Sequence, residues 1–361
     1  MLKQMIKTLV PDTVICKIKI GVELFYYAGL IKKLERERRP VDFLLGTPIH
    51  INLGDHLITL SEFQFFKDIH YPREIVEIPT EVYQLYKTRI KNITDQSTTI
   101  FINGGGWMGN LWPVEEGILQ DMLSMFRDNR IIIFPQTIYY DSRLPRYKEL
   151  MDASREAFHN CKDVSLCVRD RASYELAKDN LQVKKLFLMA DIALYYRAHP
   201  NKNMERSKIL GICLRKDREN IRNRENETEI RKVFQELGYK DKNISTLFKV
   251  RIPSVLRRRV VEKHIEQVSK CSLILTDRLH GMIYAYITRT PCLMMDNKTG
   301  KVFGVYQEWL SDVDWIYPVR GKANREEIQE FIVKMQTSLH HEPSNKICFH
   351  QLREIVLPWK K

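Results

Sequence analysis

The feature that most constrains this chain is a repeated alternation of short apolar runs with stretches of helical spacing. In the first half, five runs rich in β-branched or apolar residues predict buried strands, at residues 41–45, 98–103, 130–137, 164–170 and 185–191. Between them, Leu57, Leu60, Phe63 and Phe66 share one helical face, as do Ile118, Leu119, Met122, Leu123 and Phe126. The alternation predicts an α/β fold with parallel sheets.

A second alternation of the same kind begins near residue 207. Its predicted strands are residues 208–215, 273–277 and 291–296, with helices at 227–237, 253–269, 279–287 and 325–335. The polar segment 197–206 (RAHPNKNMER) contains a proline and no apolar period, so it predicts a linker. We therefore expect an N-terminal domain at 1–196 with an extension at 1–40, and a C-terminal domain at 207–361 that ends in helices.

Composition narrows the class of protein without choosing the function. Of the 361 residues, 44% are hydrophobic, which suits a large buried core, and the net charge of +13 favours an anionic partner. The basic residues are dispersed and no nucleic-acid-binding motif is present, so we expect no nucleic-acid partner. Seven cysteines without a CxxC pair argue against a disulfide framework or zinc cluster and indicate a cytoplasmic protein.

The N-terminal residues 15–39 mix aromatic side chains with a basic cluster. This pattern is typical of an interfacial helix held against the inner, anionic face of a membrane, although a packing helix with a solvated end is the interpretation that the sequence favours. Pro11 and Asp12 interrupt the preceding apolar run, so no signal peptide of the usual build is expected. No segment is apolar enough to predict a membrane span.

Two motifs in the first half follow predicted strands. Residues 46–55 (GTPIHINLGD) bring His50, Asn52 and Asp55 to a strand-to-helix turn, where Asp55 is expected to cap the helix. Residues 103–110 (NGGGWMGN) fit a GxGxxG pattern, but the next strand is followed by PQT rather than by the acidic residue of a dinucleotide-binding fold. The second motif therefore predicts a glycine loop that a ligand can approach closely.

Charged residues follow four other predicted strands. Arg169 and Arg215 lie at strand ends, where guanidinium groups can grip carboxylate or phosphate, or else form surface ion pairs. Residues 276–281 (TDRLHG) place an acid, a permanent cation and an imidazole within four positions, which supplies a general base, an anion clamp and a general acid. Residues 295–301 (MDNKTGK) form a further polar loop.

Seven ordered blocks resemble the polysaccharide pyruvyl transferase family, at residues 46–55, 103–113, 134–138, 168–173, 213–217, 276–281 and 295–301. The match departs from the family pattern where Trp107 and Met108 follow the triple glycine. The resemblance implies a GT-B-like fold of two Rossmann-type domains whose parallel sheets face a central cleft. It also implies a phosphoenolpyruvate donor and a sugar acceptor of an exopolysaccharide or cell-wall glycan, or of its lipid-linked precursor. The products would be a pyruvate ketal and phosphate.

The resemblance and the chemistry of the residues together give candidate roles. For catalysis, His280 is the expected proton donor and Asp55 or Asp277 the expected base. The donor-binding candidates are Arg169, Arg215, Arg278, Leu279, Gly105 and Gly106. The acceptor-binding candidates are His50, Asn52, Asn110, Asp296, Asn297 and Lys301. No metal or other cofactor is expected.

Two other functions fit parts of the pattern. A nucleotide-sugar-dependent GT-B glycosyltransferase would share the two domains and the cations near phosphate. A catalytically inactive scaffold is disfavoured because Arg278, His280 and both glycine-containing loops are present.

Overall fold

The computed structural model describes residues 12–198, 206–221, 224–337, 344 and 346–357. The chain divides into two compact units. The first contains Met1–Ile192, Leu247–Val261 and His350–Lys361, and the second contains Ala193–Thr246 and Glu262–Phe349. The first boundary lies near the one expected from sequence, but two segments of the expected C-terminal domain return to the first unit. Most of the expected linker, residues 199–205, lies outside the described residues.

The first unit is built on a parallel sheet. Its strands are β1 (Asp42–Thr47), β2 (Ile75–Pro79), β3 (Thr99–Ile102), β4 (Gly105–Met108), β5 (Arg130–Ile138), β6 (Asp163–Val168) and β7 (Lys185–Leu188). They lie in the order β2-β1-β3-β5-β6-β7, and β4 pairs with β5. The helices are α1 (Asp12–Glu37), α2 (Leu53–Asp68), α3 (Thr80–Ile93), α4 (Pro113–Met125), α5 (Tyr147–Asn160) and α6 (Arg171–Leu176), which continues as a π-helical turn at Ala177–Leu181.

Burial on both faces explains why the central strands appear in the sequence as continuous apolar runs. Residues 131–134 of β5 have no exposed surface, because helices cover both sides of the sheet. On one side, Phe66 of α2 packs against Phe101 and Phe134, with ring centroids 4.8 and 5.6 Å apart. The strand β4 (GGWM) was not expected, because its glycines carry no strand signal.

The second unit is a smaller parallel α/β layer. Its strands are β8 (Ser207–Cys213), β9 (Lys240–Asn243), β10 (Cys271–Thr276), β11 (Cys292–Met294) and β12 (Ile316–Pro318), in the order β12-β11-β10-β8-β9. The helices are α7 (Arg224–Glu236), α8 (Ser254–Ser269), α9 (Leu279–Ile287), α10 (Lys301–Val305) and α11 (Arg325–Thr337). The first half of α8 and the final helix α12 (His350–Val356) belong to the first unit. The predicted α/β fold with parallel sheets is confirmed.

Both sheets reverse their strand order at one place. In the first unit the chain places β2 on one side of β1 and β3 on the other, and in the second it does the same with β9 and β10 around β8. Ligands of open α/β sheets bind beyond the carboxyl ends of the strands at such a topological switch point. We therefore expect ligand-binding or catalytic residues in the loops that follow β1 and β3 and in those that follow β8 and β10.

None of the described helices is long and apolar enough to cross a membrane.

Candidate functional site

In the second unit, the two strand ends that flank the switch point are joined to each other. Cys213 of β8 pairs with Thr276 of β10 in the parallel register. Just beyond that pair, the backbone N–H of Arg215 donates to Oδ1 of Asp277 over 2.7 Å. Asp277 is completely buried, so this bond is shielded from water. Asp277 thus fixes the backbone from which the Arg215 side chain projects.

The start of α9 approaches the sheet unusually closely at Gly281. A Cβ atom at that position would lie 2.2 Å from Oγ1 of Thr276. The same hydroxyl donates to the carbonyl of Cys213 and accepts the backbone N–H of Arg278, at 2.8 and 3.0 Å. Glycine is therefore required for the packing that sets the first turn of α9. This turn carries Leu279 and His280, both buried.

Arg215 and Arg278 turn towards the same carboxylate. Arg215 makes two hydrogen bonds to Asp217, at 2.8 and 3.0 Å, and Nη2 of Arg278 lies 3.8 Å from Oδ2 of Asp217. Both arginines are less than a tenth exposed, whereas the Asp217 side chain is 32% exposed. Burial opposes ionisation of Asp217, but the hydrogen bonds and charge of Arg215 hold its pKa below the ordinary value. An anion thus already lies between these guanidinium groups.

Glu219 is a further buried acid that the sequence analysis missed. Its carboxylate lies 3.0 Å from Nη2 of Arg215, 2.8 Å from Nζ of Lys301 and 3.1 Å from Nδ2 of Asn297. Asn297 and Lys301, expected to bind the acceptor, therefore hold Glu219 in this structure. Glu219 lies in a loop, so neither helical spacing nor an apolar pattern indicated its contacts. We call Arg215, Asp217, Glu219, Asp277, Arg278, His280 and Lys301 the arginine cluster.

Asp296 borders a cavity of about 570 Å³ in the second unit. Its lining combines carboxylate, amide, guanidinium and apolar groups, from residues that include Asn226, Asp296, Phe303, Gln307, Val319 and Arg320. The Asp296 carboxylate accepts the backbone N–H groups of Asn297 and Phe303, at 2.9 and 3.3 Å, while burial raises its pKa. Such a mixed lining suits a ligand with both hydroxyl groups and an apolar face.

In the first unit, the loop after β1 presents three of the predicted residues together. Asn52 caps α2, because its Oδ1 accepts the N–H of Gly54 over 3.1 Å. The expectation that Asp55 is the cap was wrong, since Asp55 lies in the first turn and accepts from Nδ2 of Asn52 over 2.7 Å. Nε2 of His50 lies 3.4 Å from the Asp55 carboxylate. The His50 and Asp55 side chains are 49% and 21% exposed, so a large ligand can reach them.

The loop after β1 is held in place by a buried contact between Arg257 and His56. These residues are far apart in the sequence, so no local pattern predicts their contact. Arg257 of α8 donates to Nδ1 of His56 and to the carbonyl of Pro48, both at 3.1 Å, and forms an ion pair with Glu77. Burial, and next the charge of Arg257, hold the pKa of His56 well below its ordinary value. The neutral ring therefore carries its proton on Nε2, which donates to the carbonyl of His50 over 2.8 Å.

Two buried carboxyl groups hold the glycine loop, one at each end. Glu62 of α2 accepts the N–H of Gly104 over 2.8 Å, and Glu116 of α4 accepts the N–H of Gly109 over 2.6 Å. Both glutamates are completely buried. The second oxygen of Glu62 has no hydrogen-bond partner among the described residues, and burial raises the pKa of Glu62 to about 8.

Close backbone contacts also constrain the glycine loop from Gly105 to Gly109. Gly105 and Gly106 lie in β4, and Gly105 pairs with Gln136 of β5. Gly109 has φ +109°, and a Cβ atom there would lie 2.0 Å from the carbonyl oxygen of Tyr139.

Two predicted binding residues of the first unit, Asn110 and Arg169, form hydrogen bonds and an ion pair with other residues of that unit. The Asn110 side chain exchanges two hydrogen bonds, at 2.8 and 2.7 Å, with the backbone of Asp141. Arg169 is 1% exposed and forms a 2.6 Å ion pair with Asp191 and a 2.9 Å hydrogen bond to Thr137. These contacts position the loops after β4 and β6. The assignment of Asn110 to the acceptor and of Arg169 to the donor stays a prediction.

The described residues contain no group of three or more His, Cys, Asp or Glu side chains arranged to hold a metal ion.

Beyond the strand ends of a parallel sheet, buried cations and a helix N-terminus make a place where an anionic ligand can bind. A model of the family described as polysaccharide pyruvyl transferase matches residues 52–299, more than half of the chain. The chain belongs to this family, which is one of transferases.

Individual proteins are also similar to this chain. General stress protein 30 of Bacillus subtilis is 28% identical over 317 residues, which cover 86% of this chain and 89% of that protein. Pyruvyl transferase 1 of Schizosaccharomyces pombe is 24% identical over 315 residues, with coverage of 79% and 71%. The crystal structure of an uncharacterized protein from Klebsiella pneumoniae aligns with a TM-score of 0.55 and 17% identity, over 85% of this chain and 99% of that one. The last comparison supports the fold alone.

The raised pKa of Glu62 predicts a pH-dependent stability. The folded protein keeps a proton on Glu62 up to about pH 8, whereas the unfolded chain releases it near the ordinary value of 4.5. Folding is therefore favoured by this group at low pH, and the contribution is lost as the pH rises through that interval. Glu62→Gln removes the effect, so the Tm of the variant minus that of the wild type should increase from about pH 5 to about pH 8.

The matched control is Glu175→Gln, which changes an exposed glutamate of the same unit. Its Tm difference from the wild type should not vary with pH. A Glu62→Gln difference that is equally flat would show that Glu62 is ionised throughout.

Proposed function

We propose that the chain transfers pyruvate from phosphoenolpyruvate to a sugar of a polysaccharide or its lipid-linked precursor, forming a pyruvate ketal and releasing phosphate. The observation that carries this proposal is the convergence of Arg215 and Arg278 on one carboxylate at the switch point of the second sheet. The GT-B-like architecture stays a prediction of the family resemblance.

The chemistry of the donor explains why two guanidinium groups are needed. Phosphoenolpyruvate carries a phosphate and a carboxylate on the same carbon, and both are bound well by planar, two-pronged donors. Asp217 occupies this position now, and it is partly exposed, so an incoming anion can replace it between Arg215 and Arg278. The first turn of α9, which starts at Leu279, adds the positive end of a helix dipole.

Ketal formation begins with a proton transfer to carbon. We assign the proton donor role to His280, because an imidazolium can give up a proton near neutral pH and an anion bound beside it favours the charged form. The proton forms the methyl group of pyruvate and leaves an oxocarbenium-like centre at the adjacent carbon. One sugar hydroxyl attacks that carbon and loses its proton. The phosphate then leaves, and a second hydroxyl of the same sugar closes the ketal while its proton goes to the phosphate.

Two residues are candidates for the base that takes the first hydroxyl proton. Asp277 is completely buried and already accepts the N–H of Arg215. Asp55 is partly exposed and bonded to Asn52 and His50, which a sugar can reach. Asp277 therefore has a positioning role through Arg215, and both carboxylates stay candidates for the base.

The remaining assignments concern the acceptor and the shape of the site. We propose that His50, Asn52 and Asp296 contact the acceptor, since the first is exposed and the last borders the cavity of the second unit. Asn297 and Lys301 act through Glu219, which they hold against Arg215. Gly106 is partly exposed, so a ligand can approach its backbone closely, whereas Gly105 is buried against the Trp107 ring and its role in donor binding stays a prediction.

We place the reaction in the cytoplasm and propose that it uses no metal or other cofactor. All seven cysteines carry free thiols in this structure, which suits a reducing compartment. The donor itself supplies the pyruvyl group and a good leaving group, so the transfer requires no redox carrier.

The direct test of function is phosphate release from phosphoenolpyruvate with galactosides, glucosides and mannosides as acceptors. At least one acceptor should support release and yield a product with the NMR signal of a ketal methyl, at a rate that EDTA leaves unchanged. Nucleotide sugars are assayed in parallel. Transfer of a sugar from a nucleotide sugar, with no pyruvylated product from any acceptor, would instead establish a glycosyltransferase.

Arg278→Lys should weaken phosphoenolpyruvate binding while the fold is retained. Lysine keeps the charge but loses the planar fork, which costs about 1 to 3 kcal/mol for charge-assisted hydrogen bonds. Calorimetric titration of the donor measures the effect. Arg325→Lys is the control, because Arg325 pairs with Glu236 on an exposed surface of the same unit. Equal donor affinity in the wild type and the Arg278 variant would remove Arg278 from the site.

His280→Gln should bind the donor normally but lose about 10²- to 10⁴-fold in kcat, which is the usual contribution of a general acid. In heavy water the wild type should incorporate solvent deuterium into the product methyl group. His159→Gln provides the control, since His159 is exposed on α5. Normal turnover of the His280 variant, or a product methyl without deuterium, would limit His280 to a structural role.

A further inference from the structure

The helix α1 has one face that packs on the protein and another that carries an exposed apolar stripe. We propose that this exposed face is a binding surface for an anionic lipid membrane, on which α1 lies parallel to the surface.

The packed face fixes the orientation of the helix. Cys16, Tyr27, Ile31 and Leu34 are buried along one side of α1. On the same side, the buried Glu23 accepts the backbone N–H of Ser254, the first residue of α8, over 2.8 Å. Near the end of α1, Glu35 pairs with Arg89 of α3. Helix α1 is therefore anchored to the first unit and cannot turn its opposite face inward.

That opposite face is apolar in its N-terminal half. Val14, Ile18, Val22 and Phe25 are 44%, 66%, 61% and 81% exposed, and Tyr26 beside them is 59% exposed. Steps of four, four and three residues place these side chains in one stripe along the helix. The stripe extends over about 16 Å at 1.5 Å per residue. A row of exposed large apolar side chains of this kind marks an interaction site rather than an ordinary solvated surface.

The C-terminal half of the same face is cationic. Lys32 and Arg36 continue the stripe at helical spacing, Lys33 lies next to it, and all three are exposed. Lys19 is exposed at the flank of the apolar half. Apolar side chains that enter the acyl boundary, next to cations that meet phosphate headgroups, form the pattern of a membrane-surface helix.

Charge also argues against the other obvious occupant, a second copy of the chain. A parallel pair of α1 helices would bring Lys32, Lys33 and Arg36 against their own copies, and like charges at that distance repel. An antiparallel pair would leave these cations outside the contact. An anionic bilayer satisfies both halves of the face at once, and α1 lies on it rather than across it, because no described helix can span a membrane.

This surface does not depend on the proposed transfer reaction. A membrane position would bring a pyruvyl transferase to a lipid-linked acceptor, but vesicle binding can be measured without donor or acceptor. Failure of one proposal therefore leaves the other intact.

The first test is flotation of the full chain with vesicles made of equal parts phosphatidylglycerol and phosphatidylcholine. The wild type should float with these vesicles and not with pure phosphatidylcholine. The double variant Ile18→Ser, Phe25→Ser should bind at least about a hundredfold more weakly, about tenfold for each large apolar side chain. Leu85→Ser is the control, because it removes an apolar side chain of α3 that is 64% exposed. Each variant is compared with the wild type by Tm.

The second test removes the cations. Neutralising them in Lys32→Gln, Arg36→Gln should weaken binding to the anionic vesicles about 25-fold, at about fivefold per charge. Lys148→Gln, at an exposed lysine of α5, should bind as the wild type does. Analytical ultracentrifugation of the same proteins measures their oligomeric state and so tests whether a second copy of the chain covers this face instead. Absence of flotation by the wild type would overturn the membrane proposal. So would a wild-type chain that binds no vesicles but forms a dimer, if the Ile18→Ser, Phe25→Ser variant is a monomer.

Discussion

The hydrogen bond from the backbone of Arg215 to the buried carboxylate of Asp277 organises the second unit around its switch point. It connects the ends of β8 and β10, the two strands between which the sheet order reverses. Because it is shielded from water, it is strong and its geometry is fixed. Arg215 on one strand end and Arg278 and His280 on the other are consequently held in a constant relation. A donor with two anionic groups needs such a preorganised pair of cations.

The arginine cluster is close to electrically balanced before any ligand binds. Its three basic side chains, Arg215, Arg278 and Lys301, face the acids Asp217, Glu219 and Asp277. Buried charges require such partners, because an unpaired one would cost several kcal/mol of solvation. An incoming phosphate and carboxylate would upset the balance. Movement of the partly exposed Asp217, and protonation of His280, would each reduce the excess of negative charge by one.

The sequence predicted the fold well where one element carries its own signal. Strands such as β5 are buried on both faces and appear as continuous apolar runs, so their positions were found within a few residues. The edge strand β9 (KDKN) has no apolar pattern and was missed. Residues 247–261 belong to the first unit, although their composition does not differ from that of the residues around them. A division of the chain at a single linker was therefore too simple.

The same limit applies to the candidate site. Arg278 and His280 stand in one short block that the sequence singles out, and their roles stay predictions, whereas Glu62, Glu116 and Arg257 owe their contacts to residues distant in the sequence. Glu62 offered one signal, since it is the one charged residue within the otherwise uncharged stretch LITLSEFQFF of α2. Asn52 and Asp55 illustrate a smaller error of the same origin, because either residue could cap α2 and only the backbone conformation distinguishes them.

The most direct test of the account is a crystal structure with phosphoenolpyruvate or an unreactive analogue bound. The phosphate and carboxylate should lie within hydrogen-bond distance of the Arg215 and Arg278 guanidinium groups. Asp217 should be displaced, and the His280 imidazole should face the methylene carbon. A donor bound away from both arginines, with Asp217 still paired to Arg215, would contradict the central claim.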